Sequence, residues 1–291
     1  MVSNNEWVPK EDRLVRDELY KLEMKIRAWA RSYSVQSISD LADISDSERS
    51  NIMSQIGHCS AETDWGSLMQ KMPISSEKIP AIIIQALLAK DVFEKIFADP
   101  FFAFPIFGDD GVLPKPSGMR NLYYTMLQID EAEAHTWRSQ TLRLLWNALD
   151  PDSKHALQQK LGEFARERAL VFLATPGSQF LRELGKAENE TKCLHELQVL
   201  FNDATELSLS LWTHRAFMAV RSQRDLPVFT VSSSVMSAHR LHQLDEDDQR
   251  LDGSKVLLVV QPAVLACGDE NAESYHQWKT WTPANVLVDM S

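Results

Sequence analysis

The chain has 291 residues, of which 44% are hydrophobic and 24% are charged, and these fractions are typical of a globular protein and exclude wholesale disorder. Only ten residues are glycine, which is too few for an all-β fold or a glycine-lined phosphate loop, so the composition favours helices. The formal net charge of −11 repels polyphosphate and anionic lipid at long range, and this argues against a nucleic-acid or membrane partner.

Cysteine usage and the N-terminal sequence bear on the compartment. The cysteines Cys59, Cys193 and Cys267 lie far apart and form no CxxC pair, so neither a disulfide framework nor a zinc ribbon is predicted. The N-terminus lacks the basic and apolar regions of a secretory signal. The longest apolar run of the helical part, residues 79–89, is far shorter than the ~20 residues of a membrane span. We therefore expect a soluble protein of the cytoplasm, with the nucleus as the alternative.

The first helix is predicted over residues 10–34, where apolar residues recur at alternating steps of four and three, the spacing of one helical stripe. Such a stripe is expected to dock on the chain's own core. The same spacing also suits a coiled-coil seam, so the stripe is in addition the candidate face for a protein partner or a second copy of the chain. It consists of Val15, Leu19, Leu22, Ile26 and Trp29, followed by Tyr33.

Further helices are predicted over residues 46–56, 63–71 and 76–98, and another is expected to begin at Ser117. Asp150 and Pro151 have the arrangement of a helix start, and the longest helix is predicted from residue 190 to about residue 221. The helix that ends near Asp150 is predicted to turn an apolar face inward. That face consists of Ala134, Trp137, Thr141, Leu144, Leu145 and Ala148.

The character of the sequence changes after Asp225. Residues 226–236, 254–267 and 285–290 are rich in β-branched residues and are predicted to form short strands, which need support because two or three short strands are not stable alone. The predicted fold is therefore mainly α, a multi-helix globular bundle with a small C-terminal β element. Residues 1–224 are expected to form the helical body, and residues 225–291 are expected to pack onto it within one structural unit.

Residues 97–116, FADPFFAFPIFGDDGVLPKP, combine five phenylalanines with four prolines. The prolines prevent a continuous helix, so we expect the rings to cross the helix ends as an extended plug. The alternative is a ligand pocket that the rings line. The rings in question are those of Phe101, Phe102, Phe104 and Phe107.

Two adjacent carboxylates, Asp109 and Asp110, lie in the same segment, and such a pair can bind Mg²⁺. A helical body with an aromatic interior and an acidic pair is also the general plan of terpene cyclases. Their metal-binding aspartates lie within a helix in a DDxxD-like pattern, whereas glycine flanks this pair on both sides and favours a turn. Of the second cyclase metal motif, only Asn202 and Asp203 match, and the residues at the following helical turns do not.

The other motifs give little support for chemistry. Among eight histidines, His239 and His242 have helical spacing and, with Asp245, form a trio of the kind that binds a divalent cation, although one such pair is expected by chance. The sequence contains no HExxH, GxGxxG, P-loop or GxSxG motif, so it supports neither nucleotide binding nor these hydrolase classes. No cofactor is predicted, apart from Mg²⁺ at Asp109 and Asp110 under the cyclase alternative.

Three segments spread over almost the whole chain carry a resemblance. They are IRAWARSYS at residues 26–34, AHTWRSQTLRLLW at 134–146 and LLVVQPAVLACGD at 257–269. In this order they resemble a large group of uncharacterised proteins of filamentous fungi, in which a late apolar strand runs into a glycine-rich continuation that residues 270–278 replace here. The resemblance implies an intracellular fungal protein with an accessory role in a specialised-metabolism or defence locus, and it carries over no catalytic residue.

Two functional hypotheses follow from the sequence. The first is a non-catalytic interaction or regulatory protein, because the strongest patterns are core stripes. The second is a small-molecule enzyme of fungal specialised metabolism, terpene-cyclase-like, with its pocket behind the phenylalanines and Mg²⁺ at Asp109 and Asp110. The enzyme requires an enclosed cavity of roughly several hundred Å³, whereas the interaction protein requires a filled core and an exposed groove or patch. The sequence alone leaves the choice open.

Overall fold

α-Helices dominate the chain up to Trp212, and all the described strands follow it. The computed structural model describes residues 8–107, 113–147, 151–245 and 248–290, and it confirms the mainly α fold with a C-terminal β element. The helices are α1 (Asp12–Tyr33), α2 (Asp46–Ile56), α3 (Trp65–Lys71), α4 (Ile79–Val92), α5 (Phe104–Phe107), α6 (Pro116–Leu127), α7 (Glu131–Asn147), α8 (Pro151–Leu173) and α9 (Ala187–Trp212). The strands are β1 (Phe217–Arg221), β2 (Met236–Ala238), β3 (Val256–Gln261), β4 (Ala263–Cys267), β5 (Trp278–Thr282) and β6 (Ala284–Val288).

The central helix is α4, whose buried residues lie all round the helix, as is typical of a helix enclosed by its neighbours. It packs against α1 on one side and against β3 on another, and α9 packs along α1. In the described parts of the chain, no helix has the length and apolar content needed to cross a membrane. The interior is therefore built around α4, with α1 and α9 as outer layers.

The strands form two three-stranded sheets. In the first, β4 lies between β1 and β5 and is antiparallel to both. In the second, β6 lies between β2 and β3, parallel to β2 and antiparallel to β3. Pro262 separates β3 from β4, and Pro283 separates β5 from β6. Each long β segment therefore changes sheets at a residue that cannot donate a ladder hydrogen bond.

The helices and strands share one large core, and a smaller core lies on the far side of β3. All six residues of β3 are buried. Leu258 and Val260 belong to the large core, whereas Val256 and Val259 belong to the small one, together with Phe229. A strand that is buried on both faces reads as a continuous apolar run, which is why the sequence identified it.

Two predicted elements differ from the structure. The longest helix was expected to reach residue 221, but α9 ends at Trp212 and β1 follows, because residues 217–221 pair with β4. Most of residues 226–236, predicted as a strand, make only an isolated bridge between Val228 and Lys255. At residues 217–221 pairing with β4, rather than local propensity, decides the structure.

The apolar face predicted for α7 is only partly inward, since Ala134 is buried and Trp137 and Leu145 are partly buried, and polar residues share the buried side. Leu144, expected inside, is 69% exposed. His135, Arg138 and Ser139 are instead at most 1% exposed. The polar stripe points inward because α7 packs on the end of α9, where the hydroxyl of Ser139 donates to the carbonyl oxygen of Thr213 at 2.6 Å.

Candidate functional site

The phenylalanines of residues 97–116 pack among other aromatic rings. Phe101 is fully buried, and its ring centroid lies 5.3 Å from that of Phe104 and 5.9 Å from those of Tyr123 and Trp137. The backbone was predicted to be extended, but it forms turns that lead into α5. Because neighbouring rings occupy the space around Phe101, this geometry favours the plug over the pocket. The other rings are buried or partly buried: Phe102, Phe104 and Phe107.

The metal-site predictions find no support among the described residues. Asp109 and Asp110 lie outside them, so that site stays a prediction. In the described ranges, no group of three or more His, Cys, Asp or Glu side chains could hold a metal ion. Of the partial second cyclase motif, Asn202 donates to Glu206 Oε1 at 3.0 Å, and Asp203 forms an ion pair with Lys25.

His239 and His242 bind backbone amides rather than converging on a common point. Nδ1 of His239 accepts from the amide of Leu241 at 3.3 Å, and Nε2 of His242 accepts from the amide of Val288 at 3.0 Å. Burial lowers the pKa of both rings, that of His239 to about 4, which favours the neutral form. These two histidines fix the chain around β6, and with Asp245 they do not form a metal cluster.

The candidate partner face on α1 lies in the core. Its five side chains are at most 4% exposed, because α4 and α9 pack on that side of α1. The stripe is therefore the docking face of α1 on its own chain, and in this fold it is not accessible to a partner. Its members are Val15, Leu19, Leu22, Ile26 and Trp29.

A fully buried guanidinium, that of Arg138, links α7 to the end of α9. Nη2 lies 2.6, 3.0 and 3.1 Å from the carbonyl oxygens of His214, Arg215 and Ala216. These carbonyl groups belong to the turn that follows α9, which ends at Trp212. The Arg138 Cζ also lies 5.0 Å from the ring centroid of Trp212, a cation–π distance. Nη2 therefore has three carbonyl acceptors, whereas Nε and Nη1 have no hydrogen-bond partner among the described residues.

Tyr123 and His135 lie beside this guanidinium. The Tyr123 hydroxyl and Nδ1 of His135 are 2.5 Å apart. Burial, together with the Arg138 charge, lowers the pKa of His135 to about 3, and burial raises the pKa of Tyr123 to about 12. Both groups are therefore neutral at neutral pH. The Glu131 carboxylate, 3.9 Å from Nε2 of His135, favours the tautomer with its proton on Nε2, in which Nδ1 accepts from the phenol. The ring of Tyr275 covers His135, with centroids 4.2 Å apart.

The loop between β4 and β5 closes over these groups. Gly268 has φ 79°, and a Cβ at this position would lie 2.3 Å from the Tyr275 ring, so glycine is required. Burial raises the pKa of the Cys267 thiol to about 11, which makes it a poor nucleophile. We call these five residues the closed cluster: Tyr123, His135, Arg138, Cys267 and Tyr275.

An open groove follows the seam between α1 and α9, and we call it the α1–α9 groove. It consists of three adjoining depressions of about 410, 310 and 480 Å³. The first two share Lys25, and the last two share Ser32 and Glu196. The groove follows the 22 residues of α1, a length of roughly 33 Å at 1.5 Å per residue.

The middle of the α1–α9 groove is apolar. Trp29 and Leu200 are buried beneath it, whereas Ala28 and Val199 are exposed on its two sides, Val199 by 42%. The indole Nε1 of Trp29 donates to the carbonyl oxygen of Cys193 at 3.2 Å, which ties α1 to α9 at this level. The middle therefore offers an accessible apolar surface on a fixed base.

The two walls of the groove carry opposite charge. The α1 wall has three lysines and one glutamate, which give +2: Lys10, Glu18, Lys21 and Lys25. The α9 wall has three carboxylates and one lysine, which give −2: Lys192, Glu196, Asp203 and Glu206. The Lys25–Asp203 ion pair and the hydrogen bond from the Tyr33 hydroxyl to Glu196 at 2.8 Å cross the seam and hold the walls together.

Sequence reasoning missed both regions. A stripe of His135, Arg138 and Ser139 looks like a solvated face, and Asp203 was considered only as part of a metal motif. One signal was present, since two of the segments singled out in the sequence, residues 134–146 and 257–269, supply members of the closed cluster. The groove had a weaker signal, an apolar Val199 on the otherwise polar side of α9.

Known proteins offer no template for this chain. No protein-family model matches it, and neither the curated proteins nor the solved structures provide a match. Its binding role is therefore inferred from the closed cluster and the α1–α9 groove.

Proposed function

We propose that this chain is a non-catalytic interaction protein that binds a partner protein in the α1–α9 groove. The observation that carries the proposal is a separation within the molecule. Four of the five members of the closed cluster are at most 2% exposed and Tyr275 is partly exposed, whereas the accessible space along α1 and α9 is lined by charged and apolar side chains. Catalytic groups have to reach a substrate, so this separation favours binding over chemistry.

The protonation states in the closed cluster also support a structural role. Nδ1 of neutral His135 accepts from the hydroxyl of neutral Tyr123. Nη2 of Arg138 donates to the carbonyl oxygen of His214 after α9. Both arrangements pair buried polar atoms that would be costly to bury alone, namely the Tyr123 hydroxyl with Nδ1 of His135 and Nη2 of Arg138 with three carbonyl oxygens. Shifted pKa values also arise in structural networks, so these shifts need no reaction to account for them.

The groove has the general make-up of a protein-binding surface. Protein interfaces combine an apolar centre with a polar rim, and here an apolar middle, with Val199 exposed, lies between two charged ends. The resemblance to fungal proteins supports an intracellular accessory role in specialised metabolism or defence, which stays a prediction.

Native mass spectrometry of the purified chain, with and without Mg²⁺, tests the proposal. We expect neither a stoichiometric metal ion nor a co-purified small molecule. A stoichiometric Mg²⁺ that is lost in the Asp109→Asn/Asp110→Asn double variant would contradict the proposal and favour the cyclase-like alternative, since that alternative places the ion on those carboxylates.

A further inference from the structure

We infer that the occupant of the α1–α9 groove is a single amphipathic helix of a partner protein, with acidic residues along one edge and basic residues along the other. The inference rests on the proposed function, and it adds the conformation and the charge pattern of the partner. It follows from the shape of the groove, its apolar middle and the opposite charges of its walls.

The walls favour a helix over an extended peptide. Extended peptides bind by adding a strand to an exposed sheet edge, where main-chain groups are unpaired. Both walls are α-helices, whose interior main-chain groups bond within each helix, so an extended peptide finds no ladder there. A helix satisfies its own main chain and packs by its side chains, and the seam between two packed helices is where a third helix lies in a bundle.

The apolar middle supplies the contact for the partner's apolar face. Val199 is 42% exposed beside Ala28, and Leu200 is buried next to it. The small side chain of Ala28 allows a helix to approach closely, and helices pack at interaxial distances of about 8–10 Å.

The charges of the walls select the partner's edges. Lys21 on the α1 wall is exposed and has no partner among the described residues. Among the same residues, Glu206 on the α9 wall accepts a hydrogen bond only from Asn202. An acidic edge therefore complements the α1 wall and a basic edge complements the α9 wall. If the bound helix ran in the opposite direction with its apolar face still in the groove, its acidic edge would meet the acidic α9 wall. The charge pattern therefore also fixes the direction of binding.

Fluorescence anisotropy with labelled synthetic helices tests the inference on the full chain. Three peptides of about 20 residues, enough to span roughly 30 Å as a helix, share one apolar face. One has an acidic and a basic edge, the second has two acidic edges, and the third has two basic edges. We expect the first to bind at least about tenfold more tightly than the others, with a preference that weakens in salt.

Two valine-to-glutamate variants, one in the groove and one outside it, distinguish binding in the groove from binding elsewhere on the surface. Val199→Glu places a charge in the apolar middle and is expected to weaken binding at least about tenfold. The control is Val171→Glu, at an apolar position of α8 that is 44% exposed, and it is expected to leave binding unchanged. Lys21→Glu alone should weaken binding of the peptide that has one acidic and one basic edge. Adding Glu206→Lys should restore its binding, with the peptide lying in the opposite direction in the groove.

Several outcomes would overturn the inference. Equal affinity for the three peptides, no binding of any, or binding unaffected by Val199→Glu would each do so. A dimer of the chain alone that Val199→Glu dissociates would replace the partner helix with a second copy. If the peptides fail while native mass spectrometry shows no metal or small molecule, the non-catalytic role stands, and the α1–α9 groove is lost as its binding surface. A stoichiometric metal or small molecule would remove the proposed function itself.

Discussion

The closed cluster and the α1–α9 groove use charge in opposite ways. Arg138 is fully buried, and Nη2 of its guanidinium donates to carbonyl groups that follow α9, while Nε and Nη1 have no hydrogen-bond partner among the described residues. Lys21 stands exposed on an open wall, opposite the carboxylate wall of α9. A charge sealed in the interior stabilises the fold, whereas an exposed charge in a groove is available to another molecule. Changes in the first region should therefore reduce stability, and changes in the second should reduce binding.

The largest expected effect concerns the aromatic interior behind the closed cluster. Phe101→Ala removes a fully buried ring that contacts three others, and we expect the free energy of unfolding to fall by about 3–5 kcal/mol. Urea unfolding followed by circular dichroism measures the loss. A loss below about 1 kcal/mol would indicate that the ring lines a cavity rather than fills a core.

Arg138→Met should cost somewhat less, about 3 kcal/mol, since it leaves the carbonyls of residues 214–216 without their donor. The same urea titration measures it, with Arg143→Met on α7 as control, because Arg143 is only partly buried. The peptide affinity of any folded fraction should stay unchanged. Stability equal to that of the parent chain would show that the guanidinium does not hold the end of α9.

The buried histidines make stability depend on pH. The pKa of His135 is about 3 and that of His214 about 4 in the folded chain, against about 6.5 when unfolded. The unfolded state therefore binds more protons, so their contribution is complete above about pH 6.5 and is lost as the pH falls towards 4 and 3. Each loses about 1.4 kcal/mol per pH unit within that window, or about 2 kcal/mol by pH 5.

Urea unfolding at pH 7, 6 and 5 measures this dependence. His135→Gln should reduce the slope by about one proton, whereas the same change at the exposed His58 should leave the slope as it is. A stability that does not change between pH 7 and 5 would contradict the neutral, buried state of these rings.

A smaller effect is expected for Tyr123→Phe, which keeps the ring and removes the donor 2.5 Å from Nδ1 of His135. A buried acceptor left without its partner costs about 1–3 kcal/mol, and we expect a value near the lower end because the aromatic packing is retained. Thermal unfolding compared with Tyr124→Phe, at a ring that is 45% exposed, measures the difference. Equal losses in the two variants would argue against a buried hydrogen bond.

The smallest effect on stability is expected in the groove. Val199→Glu and Val171→Glu both change exposed positions of helices, and we expect each to alter the free energy of unfolding by less than about 0.5 kcal/mol. The two should differ only in peptide binding. A large loss of stability for Val199→Glu alone would mean that the middle of the groove is part of the core and would erase the contrast between the two regions.

The sequence predicted the elements whose pattern is local. The stripe of α1, a helix at α4 and the apolar run that contains β3 and β4 were each predicted, because apolar spacing reports directly on a buried face. The division of that run at Pro262 into strands of two sheets was not predicted. The polar face of α7 was not readable, since His135, Arg138 and Ser139 become interior residues only through acceptors on other elements. The end of α9 was missed for a similar reason, because pairing with β4 makes residues 217–221 a strand.

The sequence by itself determined that this chain folds mainly as helices around an aromatic and aliphatic core, with a C-terminal β element. Only the tertiary structure decided which charged side chains are buried and which are exposed. Arg138 meets an acceptor 76 positions away, and Lys25 meets Asp203 across 178 positions. Burial and charge pairing depend on such distant neighbours, whereas helical periodicity depends on residues three and four positions apart. For this reason the fold class was legible in the sequence and the candidate site was not.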